Sequence, residues 1–151
     1  MRVLAIDYGE RRLGLAVSDE AGEFAFPAGT LARLGKARDL AALRELAAER
    51  GVARIVVGLP LHMGGRAGPE ARAALAFAAA LGEATGLPVE TLDERWTTRE
   101  AERALREQGM VGRRGHKRRE VVDSVAATLL LQTFLARAAA RPPAAGESDR
   151  P

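Results

Sequence analysis

Four carboxylates stand where chemistry could use them. Asp7 follows the apolar run Val3–Ile6, Asp93 and Glu94 follow the run Pro88–Leu92, and Asp123 lies near the start of a long helical pattern. In α/β folds, sites lie outside the carboxyl ends of strands, so Asp7 and the 93/94 pair fall where a site would be built. Neighbouring side chains on a strand point to opposite faces, so only one of Asp93 and Glu94 is expected to join Asp7. Asp123 shares a helical face with Ala126, Ala127 and Leu130, which puts an acid on the stripe that should pack against the sheet. A carboxylate buried there needs a cation partner. Each acid also has a plainer reading: Asp7 as a turn former, and Asp123 as a helix-start residue favoured by the macrodipole.

If three of these acids converge, the chemistry they suit is metal binding. Hard oxygen ligands favour Mg²⁺ or Mn²⁺, held by one or two carboxylates with positions left for water and a substrate phosphate. Two such ions about 3.5 to 4 Å apart can stabilise both the attacking and the leaving oxygen of a phosphodiester displacement. Convergence requires the final helix to cross the sheet at the strand ends that carry Asp7 and the Asp93/Glu94 pair.

The charge distribution supplies a substrate for such a site. The 151 residues carry 23 Lys and Arg against 20 Asp and Glu, a net charge of +3. Between Arg95 and Arg119 there are 9 basic and 3 acidic side chains, so this stretch is positive and the rest of the chain is negative. Arg113, Arg114, Lys117, Arg118 and Arg119 fall in one glycine-punctuated stretch, the composition of a phosphate-contacting loop and equally of a solvated basic one. With aromatic residues at only 4%, a stacking platform for single-stranded bases is not expected.

Composition excludes other chemistries. With 0 Cys there is no thiol nucleophile, Fe–S cluster, cysteine zinc site or disulfide. The apolar run Val3–Ile6 ends at Asp7, far short of a signal-peptide core, and no apolar stretch approaches the ~18 residues that span a bilayer. The expectation is a soluble, cytoplasmic chain with no membrane partner. Its length suits one domain, 1–140, whose core needs no disulfide or structural zinc, followed by a proline-rich tail, 141–151, too polar to pack.

The elements that must position the acids can be read from the patterning. Val3–Ile6 is apolar without alternation, as in a central strand, and Leu13–Ser18 reads as its hairpin partner across the polar link Asp7–Arg12. Phe24–Leu31, interrupted by Pro27, reads as an edge strand. Leu40, Leu43, Leu46 and Ala47 recur at helical spacing in a helix over Asp39–Arg50 that Gly51 ends. The β-branched run in Arg54–Gly58 is a fourth strand, Pro69 opens an Ala-rich helix closed by Gly82 or Gly86, and Pro88–Leu92 is a fifth strand. Thr97-Thr98-Arg99-Glu100 has the form of a capping box for a helix to about Gln108, Gly109–Gly115 is a basic loop, and Glu120–Ala140 is the last helix. Three strands in a meander followed by alternating helix and strand predict an α/β fold with a mixed five-stranded sheet flanked by helices.

Several phrases then take on a family likeness. Ala5-Ile6-Asp7-Tyr8-Gly9 with Arg11-Arg12-Leu13-Gly14, Val57-Gly58-Leu59-Pro60-Leu61, Leu92-Asp93-Glu94-Arg95-Trp96-Thr97-Thr98-Arg99-Glu100-Ala101 and Val122-Asp123-Ser124-Val125-Ala126-Ala127 resemble the YqgF/RuvX family over residues 1 to 136. The resemblance implies an RNase H-like fold and a bacterial cytoplasmic nuclease, named either for maturation of the 5′ end of pre-16S rRNA in ribosome biogenesis or for Holliday junction resolution. It places the family's first-strand Asp on Asp7, its acidic pair on Asp93 and Glu94, and its final-helix Asp on Asp123. Glu94 is preferred to Asp93 because RNase H-like nucleases commonly use Glu at that strand end. The chain departs from the family after Pro60, where Leu61-His62-Met63-Gly64-Gly65 replaces the usual Leu-Asn-Met-Asp-Gly, so no substrate role is carried to those positions. His62 suits a phosphate contact or plain solvent exposure, and Trp96 a stacked base or a helix anchor.

The expected reaction is hydrolysis assisted by Mg²⁺ or Mn²⁺ at Asp7, Glu94 and Asp123. Arg11, Arg12 and Arg95 would position the backbone, and Arg113, Arg114, Lys117, Arg118 and Arg119 would clamp a neighbouring helical segment. Such contacts read shape and charge, so the expected partner is structured RNA, namely pre-16S rRNA, or branched DNA, bound by a monomer or a homodimer. Two rivals remain. An actin-like ATPase shares the Asp-x-Gly start, but about 150 residues supply only one of its two domains and no second glycine-rich phosphate loop follows the fourth strand. A non-cleaving nucleic-acid-binding accessory factor would keep the fold and charge without turnover.

Overall fold

The run Val3-Leu4-Ala5-Ile6 forms the centre of the sheet in the computed structural model, with all four residues buried. The structure describes residues 1–60, 68–94 and 118–140, with side chains from 124 onward in the last stretch. Strand β1 (Arg2–Tyr8) turns back into the antiparallel β2 (Arg12–Ser18), and β3 (Ala25–Ala32) pairs antiparallel with β2. Helix α1 (Lys36–Arg50) returns the chain to β4 (Val52–Leu59), parallel to β1. Helix α2 (Pro69–Thr85) leads to β5 (Val89–Asp93), parallel to β4. Helix α3 (Arg118–Ala140) is the last described element. The sheet order β3-β2-β1-β4-β5 is the predicted meander extended by two parallel strands.

Side-chain alternation divides the core between the two faces. Leu4, Ile6, Leu13, Leu15, Ile55 and Val57 pack with Leu43 and Ala47 of α1 and Phe77 and Leu81 of α2. Val3, Ala5, Ala16, Val56 and Leu92 pack with Ala127, Leu130 and Leu131 of α3. The small Ala5 and Ala16 on the second face let α3 lie close to the sheet. Among the described residues no helix is long and apolar enough to cross a membrane.

Several boundaries differ from the sequence reading, each for a local reason. Asp7 and Tyr8 belong to β1 and not to the link, which shortens the hairpin turn. Strand β3 covers Ala25–Ala32, one residue later than expected, because the Asp19 carboxylate gathers the Glu23 and Phe24 amides into the preceding turn. Helix α1 begins at Lys36, before Asp39, because its cap is Gly35, which gives no side-chain signal. Asp39 instead reaches back from the first turn, accepting the Leu34 amide at 2.9 Å and pairing with Arg33 at 2.8 Å. Strand β4 extends to Val52–Leu59, and α2 runs past Gly82 to end at Gly86. Strand β5 covers Val89–Asp93 and α3 starts at Arg118. The expected helix from Thr97, the loop Gly109–Gly115, the loop with His62 and Gly64, and the tail 141–151 lie outside the described residues.

Candidate active site

Asp7 is one residue from the end of β1 and shares its face with Val3 and Ala5, the face that α3 covers. Its register partner on β4 is Gly58, whose own partner on β5 is Leu92. Leu92 belongs to the α3 side of the core, so strand alternation turns Asp93 to the other face and returns Glu94 to the face of Asp7. The Glu94 carboxyl is hydrogen-bonded to Asp7. Of the adjacent acids, Glu94 is the one that joins Asp7.

Gly58 makes this meeting possible. A Cβ at that position would lie 2.6 Å from Glu94 Oε1, 2.9 Å from its Cγ and 3.1 Å from Leu130 Cδ2. The sequence reading gave Gly58 no role. The signal was present in Val57-Gly58-Leu59-Pro60, where a glycine interrupts a β-branched strand, the mark of a close approach by another group.

The electrostatics follow from the crowding of like charges. Burial, the hydrogen bond to Asp7 and the charges of Asp7 and Asp93 push the Glu94 carboxyl up from 4.5 to about 9. At neutral pH Glu94 therefore keeps a proton and gives it to a hydrogen bond with Asp7. Hard carboxylate oxygens crowded until one retains its proton are a donor set that fits a divalent cation, since a cation would relieve the repulsion. Among the described residues no group of three or more His, Cys, Asp or Glu side chains could hold a metal, so the structure brings together Asp7 and Glu94 as a pair. Position 123 lies in α3, and its side chain is outside the described set.

The predicted basic contacts are only partly visible. Arg11 is exposed and Arg12 half-buried, in the turn and at the start of β2, at the same sheet end as Asp7. Arg118 and Arg119 fall in the first turn of α3 without described side chains, and Arg95, Arg113, Arg114 and Lys117 lie outside the described residues.

On the opposite face, a cleft of about 820 Å³ opens beside Tyr8, Gly9, Glu10, Arg33, Pro60 and Glu70. Arg33 holds its wall together: its guanidinium donates to Asp39 Oδ2 at 2.8 Å and to the Gly9 carbonyl at 2.9 Å, and lies 4.8 Å from the Tyr8 ring centre. With Arg33 neutralised by Asp39, Glu10 and Glu70 leave this cleft negative, which opposes a phosphate backbone. The acid pair on the α3 face is the better candidate for chemistry on nucleic acid.

A three-strand meander extended by two parallel strands, with acids at the carboxyl ends of its first and fifth strands, defines an RNase H-like phosphodiester hydrolase. The RuvX family model, described as Holliday junction resolvase, matches residues 1–137, and the chain belongs to that family. A relative from Anaeromyxobacter dehalogenans, named "Putative pre-16S rRNA nuclease", is 48% identical over 139 residues, covering 92% of this chain and 99% of its own. A relative of the same name from Moorella thermoacetica is 47% identical over 137 residues, covering 91% of this chain and 96% of its own. Among solved structures, Thermus thermophilus RuvC in complex with a Holliday junction substrate aligns with a TM-score of 0.59 and 19% identity over 91% of this chain and 96% of that one. This last likeness is one of fold.

Proposed function

We propose that this chain is a cytoplasmic, divalent-metal-dependent endonuclease that cuts structured RNA, with trimming of the 5′ end of pre-16S rRNA as its reaction. The carrying observation is the Asp7–Glu94 pair, brought together over Gly58 in a family whose relatives are named for that activity. Asp7, Glu94 and Asp123 would hold Mg²⁺ or Mn²⁺ through carboxylate oxygens. Such an ion supplies Lewis acidity, neutralising charge that develops on the phosphate oxygens and making water a better nucleophile at neutral pH.

Two contacts on α3 support the third ligand. Leu130 faces Gly58 on β4, and Ser124 bonds to β2 and β3. At about 100° per residue, position 123 shares a helical line with Ala127 and Leu130, whose side chains pack against the sheet. Arg11 and Arg12 orient the phosphate backbone across the sheet edge, while Arg95, Arg113, Arg114, Lys117, Arg118 and Arg119 extend the contact along the substrate. Partial burial of Glu94 and its hydrogen bond to Asp7 hold the proton on its carboxyl, and a bound cation would take that proton's place.

A second reading, Holliday junction resolution, is favoured by the description of the matching family model. One experiment separates them: purified protein with Mg²⁺ or Mn²⁺ is given a labelled precursor 16S 5′ segment and a four-way DNA junction, alongside Asp7→Asn and Asp123→Asn. Cleavage of the RNA alone, lost in both variants, is the expected result. Paired symmetric nicks in the junction would put resolution first. Salt-sensitive binding of both substrates without cleavage would leave the accessory-factor reading.

A further inference from the structure

We infer that Ser124 is a positioning residue for the acid site: by pinning α3 to a bulge between β2 and β3 it fixes the helix rotation that aims position 123 at Asp7 and Glu94. The inference rests on the three-acid reading above.

The bulge is visible in the strand register. Gly14 faces Thr30 and Ala16 faces Pro27, so one residue of β2, Leu15, stands opposite two of β3, Ala28 and Gly29. Gly29 holds φ +85°, in the left-handed region that a side chain would resist. At this irregular point the buried Ser124 hydroxyl donates to the Leu15 carbonyl at 3.1 Å and accepts the Gly29 amide at 3.3 Å. One side chain of α3 thus satisfies backbone groups of two different strands. Leu15 pairs with Ile6 of β1, and the next pair along the ladder is Gly14 with Asp7. The anchor therefore stands one ladder step from the first acid.

The large side chains of the α3 interface, Leu130, Leu131 and Phe134, lie farther along the helix than position 123. Nearest to position 123 the sheet-facing contacts are Ala127, packed in one cluster with Ala5 and Ala16, and the Ser124 hydroxyl. The first of the large side chains is Leu130, seven positions from Asp123 and about 10 Å along the axis. A slip of one residue turns the helix by about 100°, enough to carry position 123 away from β1. The paired hydrogen bonds of Ser124 oppose that slip, since both are lost when the helix turns. With Asp123 as a ligand, Ser124 would act as an outer-shell partner, setting orientation without touching the cation.

The test is Mn²⁺ binding by the full chain, read from the EPR signal of free Mn²⁺, together with amide exchange at Gly29. Ser124→Ala should remain folded, lose protection at Gly29 and bind Mn²⁺ about 10- to 100-fold more weakly. Ser124→Thr, which keeps the hydroxyl, should restore most of both. Thr128→Val is the control, because the Thr128 hydroxyl bonds at 2.7 Å to the Ser124 carbonyl within the helix and not to the sheet. It should leave Mn²⁺ affinity unchanged. Wild-type affinity in Ser124→Ala, or an equal loss in Thr128→Val, overturns the positioning role while Asp123→Asn still reports on the three-acid reading. If Asp123→Asn binds Mn²⁺ as wild type does, that reading fails first and the inference falls with it.

Discussion

Glu94 reaches Asp7 across a strand that separates them. Asp7 lies on β1 and Glu94 follows β5, with β4 running between, so the two strands stand about two strand spacings, roughly 9.6 Å, apart. The pair forms because Glu94 has the longer side chain and because β4 carries Gly58 at the crossing. An Asp in place of Glu94 would fall short by one methylene, which gives a physical reason for the residue type at that strand end.

The first prediction follows from that crossing. Gly58→Ala should cut cleavage by up to about 100-fold, since its Cβ pushes the Glu94 carboxyl aside by roughly 0.5 to 1 Å, and a misplacement of about 1 Å can cost that much. The fold should survive, with a stability loss of about 1 to 3 kcal/mol from overpacking against Leu130. Turnover and urea midpoints measured side by side give the answer. Retained turnover in Gly58→Ala would mean that the observed Glu94 position is not the working one.

Much of this architecture was legible because it rests on local patterns. The unbroken run Val3–Ile6 has the pattern of a central strand, and Pro69 marked the start of α2. What stayed hidden depends on contacts that no local pattern encodes. Ser124 meets Leu15 and Gly29 from 109 and 95 positions away. The choice between Asp93 and Glu94 needed the register of β5, because a strand end misplaced by one residue exchanges the two faces. Asp39 read as the start of a helix, whereas its carboxylate closes the connection from β3 to α1.

The second prediction concerns the proton on Glu94. In the fold this carboxyl titrates at about 9 against an ordinary 4.5, so the folded chain holds the proton more tightly than the unfolded one. The stability this contributes is complete below 4.5 and is lost progressively as pH rises toward 9. Glu94→Gln mimics the protonated form at every pH. In chelator, it should match wild type near pH 4 and exceed it by up to about 5 kcal/mol at pH 8. Urea unfolding from pH 4 to pH 9 checks this, and parallel pH profiles for the two proteins would refute the shared proton.

A third prediction tests Arg33, which sequence reading passed over. Asp39 is 1% exposed and relies on Arg33 for its counter-charge. Arg33→Ala strands that carboxylate and should cost about 3 kcal/mol or more. Arg33→Lys should recover less than half, because an ammonium cannot donate to both Asp39 and the Gly9 carbonyl in the forked geometry of a guanidinium. Denaturant midpoints decide it, and full rescue by lysine would show that charge alone matters there.

The last prediction joins proton and cation. If Asp7 and Glu94 hold a divalent ion, the ion must displace the proton that Glu94 keeps up to about 9. With one proton released per ion, affinity should rise about tenfold per pH unit below that value, so half-saturation by Mn²⁺ should fall by up to about 100-fold between pH 6 and pH 8. Saturating ion, at about 100 times its dissociation constant, should add about 2.7 kcal/mol and raise Tm by about 5 to 10 °C for a chain of this size. Asp7→Asn should lose most of this response, since a neutral amide is a poor ligand for a hard cation. Glu94→Gln should lose its pH dependence along with its affinity. A Mn²⁺ response that is equally strong at both pH values would mean that the ion and the proton do not compete, and that the ion binds elsewhere on the molecule.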